Sequence, residues 1–226
     1  MKNLLFLFCM FSIDLIGQNN PDWANVARYK SENKILSPFM QTENRVVFMG
    51  NSITEGWKIA DPDFFSTNPF INRGIGGQTT PQMLVRFRQD VIKLNPKVVV
   101  ILAGINDIAQ NTGPMELEET FGNIVSMAQL AKASNIKVII SSLLPANIFP
   151  WHPEIYPADE VIRLNMMLKT YCLKSKITYL DYYSSMVDGD KGLKKEYTTD
   201  GVHCTVEGYK HMETRVQDAI KLTLSK

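Results

Sequence analysis

The sequence predicts an α/β protein: a three-layer α/β/α sandwich around a parallel sheet of about five strands. Three observations carry this. Short β-branched runs alternate along the chain with longer segments of helical spacing. The strongest runs are apolar without alternation, as in strands buried on both faces. And 226 residues, 45% of them hydrophobic, leave room for one sizeable core and little for a second.

The strand candidates, in order, are Arg45–Met49, Pro69–Asn72, Lys97–Leu102, Lys137–Ser141 and Ile177–Leu180. The central one, Lys97-Val98-Val99-Val100-Ile101-Leu102, is the strongest. Between and after them lie segments with 3.6-residue spacing: Pro81–Leu94, Glu116–Ser134, Ala158–Ser175 and Thr205–Leu224. Strand then helix, repeated, implies βαβ units and a flavodoxin-like parallel sheet. No internal repeat, low-complexity tract or Pro/Gly/Ser-rich linker marks a second domain, so residues 19–226 are expected to form one.

Residues 1–18 read differently. Met1-Lys2 precedes the apolar run Leu4-Leu5-Phe6-Leu7-Phe8-Cys9-Met10-Phe11, and the small and polar stretch Gly17-Gln18-Asn19-Asn20 comes after it. This is the pattern of a secretory signal peptide, with cleavage expected near Gly17 or Gln18. The run is shorter than the roughly 20 apolar residues of a membrane span, and Asp14 interrupts it. The mature chain is therefore expected to be exported, to periplasm, cell surface or medium, with no stable membrane span. It would keep two cysteines, Cys172 and Cys204, whose pairing sequence does not decide. The balance of 24 Lys+Arg against 23 Asp+Glu, formally +1, argues against a nucleic-acid partner.

In a parallel α/β sheet, ligands bind at the carboxyl ends of the strands. Four segments there carry chemistry: Gly50-Asn51-Ser52, then Arg73-Gly74-Ile75-Gly76-Gly77-Gln78-Thr79, then Gly104-Ile105-Asn106-Asp107, and near the C-terminus Asp200-Gly201-Val202-His203. A serine hydroxyl needs an adjacent base, usually an imidazole, oriented by a carboxylate. Asp200 and His203, three apart, could supply orienter and base from one loop. Acyl transfer also needs donors aimed at the developing oxyanion. The candidates are the Ser52 N–H, an N–H of the glycine turn and the Asn106 amide. Singly, each element has a plainer reading: a turn at Gly-x-Ser, a tight loop at Gly-Gly, a cap at Asn106-Asp107, a structural histidine at His203. Four groups of the right types at four strand ends outweigh those readings. His152 and His211 have no acidic residue at the same three-residue spacing.

These four blocks resemble the signature of the SGNH hydrolases, the GDSL esterases and lipases, from about Val46 to His203. The resemblance implies Ser52 as nucleophile, His203 as general base, Asp200 as its orienter, and Ser52 N–H, Gly77 N–H and the Asn106 amide as oxyanion donors. Gly77 is implied rather than Gly76 because the family's donor glycine directly precedes an acidic or amide residue, here Gln78. The family usually has Asp where Asn51 stands, which changes hydrogen bonding near the nucleophile and leaves the triad intact. Cys204, directly after His203, reads as a small buried filler.

An α/β-hydrolase would need a glycine two residues after the serine, where Thr54 stands, and an acid far from the histidine. A flavodoxin-like nucleotide binder leaves Asp200 and His203 unexplained, and no Walker-type phosphate loop is present. Three scattered histidines make no zinc spacing, so neither metal nor cofactor is expected. The implied activity is hydrolysis of short-chain, chiefly acetyl, esters through an acyl-enzyme, with a small ester or acetylated glycan as substrate. Within the class, a lysophospholipase-like or platelet-activating-factor acetylhydrolase-like lipid esterase is the alternative. From another class, a catalytically silent glycan-binding module would have no reason to keep every catalytic residue type. The segment Leu144–Ala158 is expected to rim the pocket. Trp151 in it, together with Trp57, is the candidate aromatic platform for substrate, against the plainer reading that Phe149 and Trp151 pack the loop down.

Overall fold

The computed structural model describes residues 22–36 and 44–226; the expected signal peptide lies outside them. Five parallel strands form one sheet in the order β2-β1-β3-β4-β5: β1 Val46–Gly50, β2 Phe70–Gly74, β3 Val98–Leu102, β4 Lys137–Ser141 and β5 Thr178–Leu180. This is the flavodoxin-like order, in which the chain reverses direction across the sheet between β1 and β3. Every residue of β1 and β3 is buried, so these strands need no polar alternation.

Four helices agree closely with the sequence spacing: α4 Thr80–Asp90, α6 Leu117–Ala133, α7 Ala158–Ser175 and α9 Val206–Ser225. The spacing predicts one helix as far as Leu94, whereas α4 ends at Asp90 and the chain continues as a 3₁₀ turn, Ile92–Leu94. Five short helices have no counterpart among the predicted elements: α1 Lys30–Leu36, α2 Ser52–Ala60, α3 Pro62–Ser66, α5 Ile105–Ile108 and α8 Tyr183–Met186. Most are too brief for a 3.6-residue period to declare itself. Helices α2 and α9 meet on one face of the sheet, while α4, α6 and α7 pack in series on the other.

A close approach of helix to sheet sets the position of Ser52. Gly50 and Gly74 end β1 and β2 in register, and the first turn of α2 crosses directly over them. A Cβ on Gly74 would stand 2.1 Å from the Glu55 backbone nitrogen, and one on Gly50 2.0 Å from Thr54 Oγ1. Only glycine lets α2 start this close to the sheet.

Candidate active site

Ser52 is the first residue of α2. Asn51 caps the helix: its Oδ1 accepts from Ile53 N–H at 3.0 Å, and its carbonyl accepts from Glu55 N–H at 2.9 Å. Where a carboxylate is usual in the family, Asn51 thus caps with its amide oxygen. Its Nδ2 is buried without a partner among the described residues.

The histidine arrives from 151 residues away in sequence, with Ser52 Oγ 2.9 Å from His203 Nε2. Its other ring nitrogen, Nδ1, lies 2.6 Å from Asp200 Oδ2. Asp200 Oδ1 accepts from Val202 N–H at 2.9 Å and His203 N–H at 2.7 Å. Thr198 Oγ1 braces the same loop, donating to the His203 carbonyl at 2.8 Å and accepting from Gly201 N–H at 3.0 Å. Gly201 takes φ +87°, which an L side chain adopts only with strain. Burial pushes the Asp200 carboxyl up, but the His203 ring and the two N–H donors outweigh it and hold the carboxyl below its ordinary value. With Nδ1–H directed at that carboxylate, the Nε2 lone pair faces the Ser52 hydroxyl, the arrangement a general base requires.

The glycine block supplies the facing wall. Gly77 has φ +74°, and the peptides on either side are tied down. Glu55 Oε2 accepts from Gly76 N–H at 2.8 Å, while Asn106 Nδ2 donates to the Gln78 carbonyl at 3.0 Å. Among the described residues, Ser52 N–H and Gly77 N–H have no hydrogen-bond partner, and Asn106 keeps a second amide proton. The commitment of Gly76 N–H to Glu55 leaves Gly77 as the free donor of the pair. Behind this wall the buried Arg86 donates to Gln78 Oε1 at 2.6 Å, to the Gly50 carbonyl at 3.1 Å and to the Arg73 carbonyl at 2.9 Å. One guanidinium thus joins the ends of β1 and β2 to the glycine turn. Asp107, next to Asn106, accepts from Thr80 N–H and Oγ1 and so bolts α5 to α4. Burial holds its carboxyl above the ordinary value.

The two tryptophans separate. Trp151 is 40% exposed, stacked on buried Phe149, with its ring 6.0 Å from that of His203. Trp57 does not rim the site. At 2% exposure it is core, stacked between Phe64 and Tyr209, with Nε1–H donating to Glu213 at 3.2 Å. Five residues along a helix turn a side chain about 140° from Ser52, which carries Trp57 toward the α9 side of the sheet.

The remaining groups lie apart from this chain of bonds. His152 pairs with exposed Glu154 at 3.1 Å, and His211 contacts Ser185 Oγ at 2.9 Å and Tyr197. Cys172 and Cys204 are unpaired. Cys204 is half-buried against Met212, and burial raises both thiols to about 12. Sequence reasoning missed Glu55 and Arg86. Glu55 stands one helical turn from Ser52, a spacing visible only once α2 is recognised; Arg86 carries no local signal.

The sequence profile of the GDSL-like Lipase/Acylhydrolase family matches residues 48–211, which takes in every block above. The chain belongs to this family. It is a carboxylic ester hydrolase with the SGNH fold. A candidate acylhydrolase from Bacteroides fragilis is 56% identical, with a TM-score of 0.88 over 89% of this chain and 98% of its own. A GDSL-like lipase from Bacteroides thetaiotaomicron is 53% identical, with a TM-score of 0.86 over 88% and 98%. The human platelet-activating factor acetylhydrolase IB subunit alpha2 is 28% identical over 187 residues, 78% of this chain and 76% of its own.

Proposed function

We propose that this esterase removes short acyl groups, acetyl foremost, from acetylated saccharides outside the cytoplasm. The hydrogen-bonded chain Ser52–His203–Asp200 carries the chemistry. His203 takes the Ser52 proton as Oγ attacks the ester carbonyl, and the charge developing on the carbonyl oxygen is met by Ser52 N–H, Gly77 N–H and the Asn106 amide. His203 returns its proton to the departing alcohol. Water deprotonated by His203 then attacks the acyl-Ser52 ester, releasing the acid and restoring the serine. Asp200 keeps the imidazole in one tautomer and stabilises the imidazolium.

Acetyl as acyl group is supported by two kinds of likeness: the 28%-identical relative is an acetylhydrolase, and the fold is shared with acetyl xylan esterases. The saccharide alcohol is supported by Trp151, an exposed indole beside the catalytic imidazole and a surface on which a sugar ring can stack. Among the described residues no helix is long and apolar enough to cross a membrane, and no cluster of three or more His, Cys, Asp or Glu could hold a metal ion.

Hydrolysis of p-nitrophenyl acetate, butyrate and octanoate by the mature protein tests the reading. Acetate is expected to be turned over fastest, and Ser52→Ala should reduce turnover by about four to six orders of magnitude. A preference for octanoate would transfer the reading to lipid esters. Full activity in Ser52→Ala would remove Ser52 as nucleophile.

A further inference from the structure

From the N-terminal turn of the described chain we infer a second, saccharide-binding subsite beside the nucleophile; it rests on the acetylated-saccharide reading and adds where the sugar goes. A cavity of about 350 Å3 opens between residues 22–25, the glycine block and the start of α4, within the roughly 300–1,000 Å3 of small-molecule sites. It adjoins Ser52 through Gly76. A Cβ built on Gly76, which lines the cavity, would lie 3.9 Å from Ser52 Cβ.

The backbone of this turn is held in place. Gln82 Nε2 donates to the Trp23 carbonyl and Gln78 Nε2 to the Ala24 carbonyl, both at 2.8 Å. The Asp22 carboxylate accepts from Val26 N–H at 2.6 Å and Ala27 N–H at 2.8 Å, closing the turn from within. Over this fixed frame the Trp23 ring stands 47% exposed. Beside it is Asn25, exposed, in a left-handed conformation (φ +51°), its amide without a partner among the described residues. An exposed indole face next to an uncommitted amide suits a sugar ring, which presents C–H groups on its face and hydroxyls at its edge.

The lining selects against other ligands. It contains no cationic side chain, so nothing balances a phosphate. A quaternary ammonium would want a cage of several aromatic faces, where there is one indole, and both oxygens of the neighbouring carboxylate already accept backbone N–H groups. A neutral saccharide joined to the acyl-bearing residue remains. An ester placed on Ser52 with its sugar extended past Gly76 would lay the next ring against Trp23.

The test compares kcat/KM for chemically acetylated xylo-oligosaccharides of two to four units with kcat/KM for p-nitrophenyl acetate, which is too small to reach the turn. Trp23→Ala should lower the ratio about five- to twentyfold, mainly through KM of the oligosaccharide. Asn25→Gly, which keeps the left-handed backbone unstrained, should lower it less. Leu173→Ala on the outer surface of α7 should not change it. If the oligosaccharides are hydrolysed and both turn variants keep the ratio, the subsite is overturned and the saccharide reading stands. An equal loss on both substrates also overturns the subsite, because the turn would then act only by bracing the glycine block. Turnover of p-nitrophenyl acetate with none of any acetylated oligosaccharide overturns the saccharide reading and the subsite with it.

Discussion

Asp200 does two jobs with its two oxygens. Oδ2 orients the His203 ring, while Oδ1 holds the loop closed through Val202 and His203 N–H. The native carboxyl titrates below the unfolded one. Its pairing therefore favours folding at pH above the unfolded carboxyl range, and that contribution disappears as pH falls through the lower native value. Asp200→Asn should show both roles. Turnover should fall by about 10⁴, because an amide no longer dictates the Nδ1–H tautomer. The urea midpoint should drop at neutral pH, with the difference from wild type closing in acid. A midpoint gap that persists unchanged in acid would show that the charge is not what holds the loop. Residues of this kind were legible in the sequence because Asp200 and His203 share one short loop, so their chemistry survives without knowledge of the fold. Trp57 was not legible. An aromatic residue five positions after a nucleophile reads as rim or as core, and only the rotation of a helix too short to be recognised decides between them.

At the level of elements, α2 is where the site is built. It begins over two glycines at the strand ends, presents Ser52 at its first position, reaches the glycine turn through Glu55 and anchors inward through Trp57. The two tryptophans should therefore separate by experiment. Trp57→Ala should cost about 3–5 kcal/mol of stability, as large-to-small changes of buried aromatics do, read as a lowered denaturant midpoint. Trp151→Ala should leave the midpoint within about 0.5 kcal/mol of wild type and instead raise KM for acetylated saccharides. Stability unchanged in Trp57→Ala would contradict its place in the core. Strands and long helices were legible because an unbroken apolar run or three turns of amphipathic spacing needs no partner to be seen. The helices of four to nine residues were not, because their formation depends on caps such as Asn51 and on the surfaces they cover rather than on their own periodicity.

Across the whole molecule, the strand order places the reversal of the chain between β1 and β3, and the two segments that open there carry Ser52 and Asn106. The last loop before α9 brings His203 to Ser52 across 151 residues of sequence. Export is the expectation at this scale. Protein recovered from a native-type host should lie outside the cytoplasm and begin near residue 18 or 19 by N-terminal sequencing, whereas a cytoplasmic chain retaining Met1 would overturn it. The strand-then-helix rhythm determined the fold class, and the residue types in four short blocks, through their likeness to the SGNH signature, pointed to the reaction class and to the three residues proposed to carry the reaction, because each of these is written in short local patterns. Tertiary structure decided what depends on distant parts of the chain meeting. It commits Gly76 N–H to Glu55 and leaves Gly77 free, gives Arg86 the task of joining two strand ends, buries Trp57, and folds residues 22–25 against the glycine block beside the nucleophile. No local pattern records these contacts, because each is made between side chains and backbone that the fold alone brings within hydrogen-bonding or van der Waals reach.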